Sequence, residues 1–485
     1  MNSLLIWPVA LPLAAALCAL LWPRRAAQAG LVAALATALS ALLLVGRVAR
    51  EGVLVHALGG WEPGLGIALR ADALAAVMVL MTALVILGVA VYASGYFSNS
   101  DSKARFWPLW LLLHCALNAL LLSADLFNIY VTLELLGLSA VALAALGGTR
   151  EAVGAALRYL MLGLLGSMAF LAGVTLIYAE YGRLDLPGLP GVVGPGTTTA
   201  IALALMTGGL LLKSALFPLH LWLPPAHANA PAPVSAALSA LVVKAGFYLV
   251  LRLWLELFTP AVSAAGAALI GALGAAAVVW GSWNALQSKR LKLLAAYSTV
   301  AQLGYLFMFL PLILALPAGT ARDTAFGAMI LLALTHAFAK SALFLAAGAI
   351  QVRAGHDEIA RLAGTARALP VTTFTLALAG VALIGLPPSG SFLAKWQLLA
   401  AAISTGQWFW VPVIAIGSLL AAAYVFRMLG YAFSQDDSAP AVVAWRREEL
   451  SALILAVTAT AVLGLGAASL WEFLAPGIPG PGRMA

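Results

Sequence analysis

The chain has 485 residues, 63% hydrophobic and 9% charged, with a mean hydropathy of +1.02 and a formal net charge of +8. A soluble domain is close to half apolar, so this composition defines a polytopic membrane protein, and no basic soluble face for nucleic acid is visible. The only cysteines, Cys18 and Cys115, lie inside apolar runs, which excludes iron–sulfur clusters, c-type haem and cysteine zinc cages built from this chain alone.

Apolar stretches of about 20 residues recur from end to end, each able to cross roughly 30 Å of hydrocarbon as a helix. They are rich in Ala, Leu and Gly without alternation, which predicts helices and not a β-barrel. In chain order the predicted spans are 3–22, 29–46, 71–92, 107–123, 126–146, 154–178, 199–217, 234–256, 262–282, 293–313, 325–349, 370–404, 409–432 and 450–471. That gives an all-α protein of about fourteen transmembrane helices. The opening MNSLLIWPVALPLAAALCALLWPRR lacks a basic start and is followed by further spans, so it reads as a retained first span and not as a signal peptide.

Loop charges set an expected orientation. Arg24, Arg25, Lys103, Arg105, Arg150, Lys289, Arg290, Lys292, Arg353, Arg361, Arg367, Arg446 and Arg447 fall on one side, against Arg50, Arg183 and Arg322 on the other. The positive-inside rule puts the first group in the cytoplasm. An even number of spans then puts both termini outside. The expected location is the cytoplasmic (inner) membrane.

An ionisable group at bilayer depth is costly, which makes each one a functional candidate. Along the chain these are Glu134, Lys213, Lys244, His336, Lys340 and Lys395. Lys244 lies about ten residues, or roughly 15 Å of helix, from either end of its span, too deep to snorkel. Glu134 has no local cation, and a buried carboxylate seeks one on another span; Lys213 is the expected partner. Asp125, in SADLFN, is expected to cap the following helix. His336 and Lys340 are four residues apart and project from one side of a helix, where an imidazole can exchange protons at accessible pH. Arg158 and Arg252, nearer their helix ends, are expected to snorkel. His220 and His227 flank Pro224 and Pro225; they could accept protons at a cytoplasmic mouth or decorate a rigid loop, and the residues leave both readings open.

The stretch GLPPSGSFLAKW, residues 385–396, interrupts an apolar span with Pro387, Pro388 and Gly390 before placing Lys395. Proline removes helix hydrogen bonds, so the span is expected to be broken. Lys213 and Pro218 repeat the combination five spans earlier. Interrupted helices at corresponding places in two halves point to a transporter with repeats, and an odd repeat of five helices is inverted. The expected organisation is three N-terminal helices in 1–106, a first five-helix repeat in 107–256, a second in 262–432, and a last helix with a short tail in 450–485.

Five motifs, SADLFNIYVTLELLGLSA, LLLKSALFPLHLWLPPAHANAPAPVSAALSALVVKAG, SKRLKLLAAYSTVAQLGY, THAFAKSALFLAAG and GLPPSGSFLAKW, occur in this order, within a similarity that spans roughly residues 70–430. Together they resemble the antiporter-like family. It comprises large subunits of Mrp-type cation/proton antiporters and proton-pumping membrane subunits of respiratory complex I and membrane hydrogenases. Within it, DLFNIYVTLE and PPSGSFLAKW most resemble the D-type polypeptide of Mrp antiporters. The resemblance implies a proton relay: Glu134 and Lys213 as a switchable ion pair, Lys244 as centre, His336 and Lys340 as continuation, Lys395 as terminus toward the outside. It also implies a multisubunit assembly with other membrane subunits, H+ and Na+ as the moved ions, and no cofactor or metal. The first alternative is a proton-pumping membrane subunit of a complex I-like NADH dehydrogenase or membrane hydrogenase; an anchoring subunit whose charges only dock helices is the alternative of a different class. Ser391 stands where the family often has glycine, and Thr132 where an aromatic is common.

Overall fold

The computed structural model describes residues 3–61, 66–97, 100–435 and 446–475; residues 476–485 of the expected tail lie outside these. Among the described residues, twelve helices are long and apolar enough to cross a membrane. They are α1 (Ser3–Leu21), α2 (Pro23–Glu51), α3 (Ala73–Tyr96), α4 (Asp101–Leu122), α5 (Leu126–Ala145), α6 (Arg150–Tyr181), α9 (Ala232–Leu257), α10 (Ala264–Gln287), α11 (Leu291–Ala315), α12 (Thr320–Ala354), α15 (Trp410–Phe433) and α16 (Glu448–Leu465). Between them lie two shorter apolar helices, α7 (Thr197–Lys213) and α13 (Pro370–Ile384). Three further segments, α8 (Leu223–Asn229), α14 (Gly390–Ser404) and α17 (Ala467–Leu474), complete the helical set used below. Each predicted span coincides with one of the twelve long helices or with one of the two interrupted ones.

Both interruptions include the predicted prolines. The first is earlier than expected: α7 stops at Lys213, and the chain runs without helix through a cis Phe217–Pro218 bond to α8. The orphan carbonyls at the end of α7 are taken up locally, Leu210 O by the Ser214 amide at 2.8 Å and Leu212 O by the Trp222 indole at 2.9 Å. The second interruption splits the expected 370–404 span into α13 and α14. Gly385 closes α13 at φ 84°, a left-handed turn that glycine makes without a Cβ penalty, and Pro387–Pro388 is cis. The Ser389 hydroxyl then caps α14 by accepting from the Phe392 amide at 3.3 Å.

The helices at the centre carry the charge. The apolar windows of α9 and α12 are 100% buried and that of α11 is 89% buried, whereas those of α6 and α15 are 33% buried. Lys244, His336 and Lys340 therefore sit on the innermost helices, and α6 and α15 present aliphatic side chains to lipid or to neighbours. Close helix approach is obtained through small residues. A Cβ on Gly209 of α7 would stand 2.2 Å from Gly166 O of α6, and one on Gly246 of α9 would stand 2.5 Å from Ser214 Oγ.

A two-stranded antiparallel hairpin, β1 (Leu54–Ala57) with β2 (Ala68–Ala71), leads into α3. Asp72 caps α3 by accepting from the Ala75 amide at 2.9 Å, and it also receives Arg252. Arg252 does not snorkel. Its guanidinium is buried and binds both carboxylate oxygens of Asp72 at 2.5 and 2.6 Å, with Glu256 at 2.9 Å and Tyr248 Oη at 3.0 Å. Arg70 of the hairpin closes the cluster on Glu256 at 2.5 Å. Position near a helix end hides this in the sequence, because the hairpin folds over that end and supplies the carboxylate.

Candidate functional site

The first candidate pair is assembled across two helices. Asp125 caps α5 by accepting from the Asn128 amide at 2.8 Å, which fixes where the helix starts and hence where Glu134 points. The Lys213 ammonium lies 3.5 Å from Glu134 Oε1 and 3.5 Å from the Leu133 carbonyl. These long distances describe a contact pair and not a tight bridge. Gly137, one turn along α5, makes room: a Cβ there would lie 3.4 Å from Lys213 Nζ. Asn128 and Thr132 share the α5 surface but are spent locally, Asn128 on Ser123 Oγ and Thr132 on backbone carbonyls of its own turn.

Lys244 is fully buried on α9, and the helix is deformed beside it. Residues Leu238–Val242 form a π-turn, and the Lys244 ammonium donates back to the Ser239 carbonyl at 3.2 Å, five residues earlier. A π-turn inserts one residue and is frequent at functional sites, because its geometry leaves carbonyls free for other donors. From Ser239 the polar contacts pass to α11. The Ser239 and Thr299 hydroxyls are 2.7 Å apart, and Thr299 donates to the Ala295 carbonyl at 2.9 Å. The same Ala295 carbonyl accepts from the Lys340 ammonium at 2.8 Å, and Lys340 also hydrogen-bonds Ser298 Oγ. His336 lies on the same face of α12, within electrostatic range of both Lys244 and Lys340. It is buried, and neither ring nitrogen has a hydrogen-bond partner among the described residues.

Lys395 occupies the second break. Its ammonium reaches the terminal carbonyls of α13, Ile384 O at 3.0 Å and Leu383 O at 3.4 Å, and Ser418 Oγ of α15 at 3.4 Å. It also sits 4.5 Å from the centre of the Tyr305 ring, a cation–π contact. The chain break supplies these carbonyls: a helix that ended elsewhere would have hydrogen-bonded them internally. Gln302 Nε2 of α11 donates to the same Leu383 carbonyl at 2.9 Å.

One helix therefore borders several of the later candidates: α11 bonds Lys340 directly, meets Lys395 through Tyr305, and reaches Lys244 only by way of Ser239. Ala295, Ser298, Thr299, Gln302 and Tyr305 line one side of α11, spaced as a helix face requires, and they lead from Lys244 through Lys340 to Lys395. The stretch that holds them, AAYSTVAQLGY, belongs to the third motif, but the sequence alone assigns it no role. Hydroxyl and amide side chains are unremarked in an apolar helix; the available signal is their recurrence three or four residues apart. Lys292 is not the loop charge that the sequence suggests. It is buried in the first turn of α11, its ammonium bonded to the Ala230 carbonyl, because Arg290 and not Lys292 forms the surface pair with Asp357, at 2.9 Å. His227, on α8, stacks on Phe344 at 5.3 Å and contacts Ser235 O at 3.2 Å, inside the protein and not on an open loop. Among the described residues, no group of three His, Cys, Asp or Glu side chains is placed to hold a metal ion.

Bundle and breaks define a polytopic membrane subunit, and the relatives support a proton-translocating one. The model of the family described as NADH:quinone oxidoreductase/Mrp antiporter, transmembrane, matches residues 123–421. The chain is 35% identical over 455 residues to the N-type polypeptide of NADH-quinone oxidoreductase from Desulforudis audaxviator, covering 89% of this chain and 88% of that protein. It is 27% identical over 442 residues to the D-type polypeptide of the Na(+)/H(+) antiporter from Alkalihalophilus pseudofirmus, covering 89% and 87%. Among solved structures, a chain of the archaeal membrane-bound sulfane sulfur reductase superposes with a TM-score of 0.90 at 28% identity, covering 98% of this chain and 96% of that one. A chain of the Mrp complex from a Dietzia species gives 0.86 at 25% identity, covering 100% and 99%. The protein belongs to the NADH:quinone oxidoreductase/Mrp antiporter transmembrane family.

Proposed function

We propose that the chain is the proton-translocating subunit of a multisubunit Mrp-type antiporter, in the cytoplasmic membrane with its basic loops inside, exchanging protons for Na+ together with other membrane subunits. The proposed path runs from the Glu134–Lys213 pair through Lys244 and the His336–Lys340 pair to Lys395, with Ser239, Thr299, Ser298 and Gln302 between them. The observation that carries this reading is the run of polar contacts across α9, α11 and α12: Lys244 donates to the Ser239 carbonyl, the Ser239 hydroxyl meets Thr299, and Thr299 and Lys340 both donate to the Ala295 carbonyl. Protonating Glu134 removes the attraction that holds Lys213. The freed cation repels Lys244, and the excess proton moves along α11 toward Lys395. Such neighbouring groups titrate as a set and not singly. Each charge moved along the membrane potential gains about 2.3 kcal/mol per 100 mV. We further propose that 107–256 and 262–432 are inverted repeats, which the similar breaks beside Lys213 and Lys395 support.

A second reading has its own support. The 35% identity to an NADH-quinone oxidoreductase polypeptide exceeds the 27% to an antiporter polypeptide, which favours a pump driven by electron transfer. Purification of the intact complex separates the two: small membrane partners alone support the antiporter, flavin or iron–sulfur subunits the redox pump. Proton movement by that complex in vesicles, lost on Lys244→Ala with assembly retained, is the result expected of either. An assembled Lys244→Ala complex with unchanged ion flux would leave only a packing role and end both.

A further inference from the structure

Between Lys340 and Lys395 the polar contacts of α11 are interrupted. Lys340 bonds Ser298 Oγ, and Lys395 shares the Leu383 carbonyl with Gln302 Nε2. Ser298 and Gln302 stand one turn apart on the same face of α11. Ser298 Oγ, however, donates within its own turn, to Ala295 O at 3.1 Å, and Gln302 Oε1 is buried with no hydrogen-bond partner among the described residues.

α15 supplies a side chain at that interruption. The chain crosses once as α12 and once as the broken pair α13–α14 before α15, which therefore runs antiparallel to α11. Tyr305 sets their register: its hydroxyl donates to Ile414 O at 3.3 Å and lies against Gly417, where a Cβ would collide with it. Seven residues back along α11 is Ser298, and seven residues on from Gly417 along α15 is Tyr424, the same two-turn advance on both helices. Tyr424 is fully buried, and the Ser298 and Gln302 side chains are polar neighbours of its hydroxyl. Like Gln302 Oε1, Tyr424 Oη makes no well-formed hydrogen bond among the described residues. Each unpaired buried polar atom is costly, so a hydroxyl and an amide oxygen left unpaired beside one another call for a role other than packing. A phenol both accepts and donates, and its proton turns freely about the C–O bond.

Resting on the proposed proton path, we infer that the Tyr424 hydroxyl is a further relay group, which carries the proton across from the Ser298 side to the Gln302 side. As a proton from the Lys340 ammonium reaches Ser298 Oγ, the Ser298 proton passes to Tyr424 Oη. The phenol's own proton leaves on the Gln302 side, toward Lys395, and both hydroxyls end neutral. Gln302 does not ionise; its Oε1 orients the departing proton.

The test uses the intact complex in vesicles and reads driven proton movement in light and in heavy water. Tyr424→Phe removes one oxygen that makes no well-formed hydrogen bond, so assembly and unfolding temperature are expected to match the parent while driven movement falls severalfold. The ratio of the rates in light and heavy water is expected to rise, because the crossing that has lost its hydroxyl becomes the slow step; a packing defect would not change that ratio. Gln302→Leu is expected to slow movement as well, and the double variant to be no slower than the slower single one, since both act on one crossing. An assembled Tyr424→Phe complex at the parent rate, a slowed one with an unchanged isotope ratio, or losses that multiply in the double variant would overturn the relay role and leave the proton path standing. Failure of the path itself registers differently, as driven movement unaffected by Lys244→Ala. Should Tyr424→Phe fail to assemble, fluorotyrosine in place of Tyr424 decides: it keeps ring and hydroxyl but makes the proton more acidic, so an altered rate is expected and an unaltered one overturns the proposal.

Discussion

The two chain breaks are alike in sequence and opposite in electrostatics. At the first, Lys213 is the last residue of its helix, and the terminal carbonyls behind it are already taken by Ser214 and Trp222. The lysine must look to another helix, and it finds a carboxylate at 3.5 Å. At the second, Lys395 follows the break and turns back onto it, held by two helix-end carbonyls, one of them shared with Gln302, a hydroxyl and an aromatic face, with no carboxylate among its contacts in the described residues. A carboxylate can be protonated, so its hold on a cation can be switched. Carbonyl dipoles at a helix end do not titrate, so theirs is constant. Proline breaks thus make room for buried cations, and the counter-group decides whether the cation is released or retained.

A third buried cation extends the comparison to a static extreme, and disturbing it is expected to have the largest effect. Arg252 is locked by Asp72 and Glu256. Asp72→Asn leaves Arg252 short of a charge and is expected to cost about 3–5 kcal/mol, read as loss of assembled complex or a lower unfolding temperature. Burial alone would raise the Asp72 carboxyl, but Arg252 and then Arg70 outweigh it and hold the group below the usual carboxylate range. The stabilisation is therefore present throughout above that range. It is lost only as pH falls through the depressed folded value, so heat stability that already declines between about pH 7 and pH 5 would contradict this assignment.

Next in size, Lys395→Ala in the assembled complex is expected to cut driven proton movement about tenfold or more, since nothing else at the second break carries charge. Glu134→Gln is expected to cost less, roughly severalfold, with a changed pH profile, because the switch is lost while the lysines remain. Equal damage from the two substitutions would erase the distinction drawn between the breaks. The smallest effect is expected from Tyr305→Leu, which removes a contact worth about 0.5–2 kcal/mol beside Lys395; a severalfold slowing of driven proton movement in vesicles is the expected result.

Much of this architecture is legible in the sequence. Lys213, Lys244, His336, Lys340 and Lys395 stand out because charge in an apolar run has no cheap explanation, and both breaks follow from Pro218 and from Pro387 with Pro388. Lys292, which bonds Ala230, and Arg252, which bonds Asp72, escape a sequence reading for one reason. Depth is judged there from distance along the chain, and a neighbouring segment folds over each helix end. The α11 face is hidden because Ser298, Thr299 and Gln302 are individually unexceptional, and only the placement of α11 between two lysine-bearing helices gives them meaning.

The wide turn before Lys244 has a consequence for heading as well as for bonding. An α-helix advances about 100° per residue, so taking up one extra residue at Leu238–Val242 swivels everything downstream by that amount from where a regular helix would carry it. Were the same residues wound as a regular α-helix, Lys244 would point to a different side; trimming one residue would instead remove the wide turn and leave the downstream heading as it is.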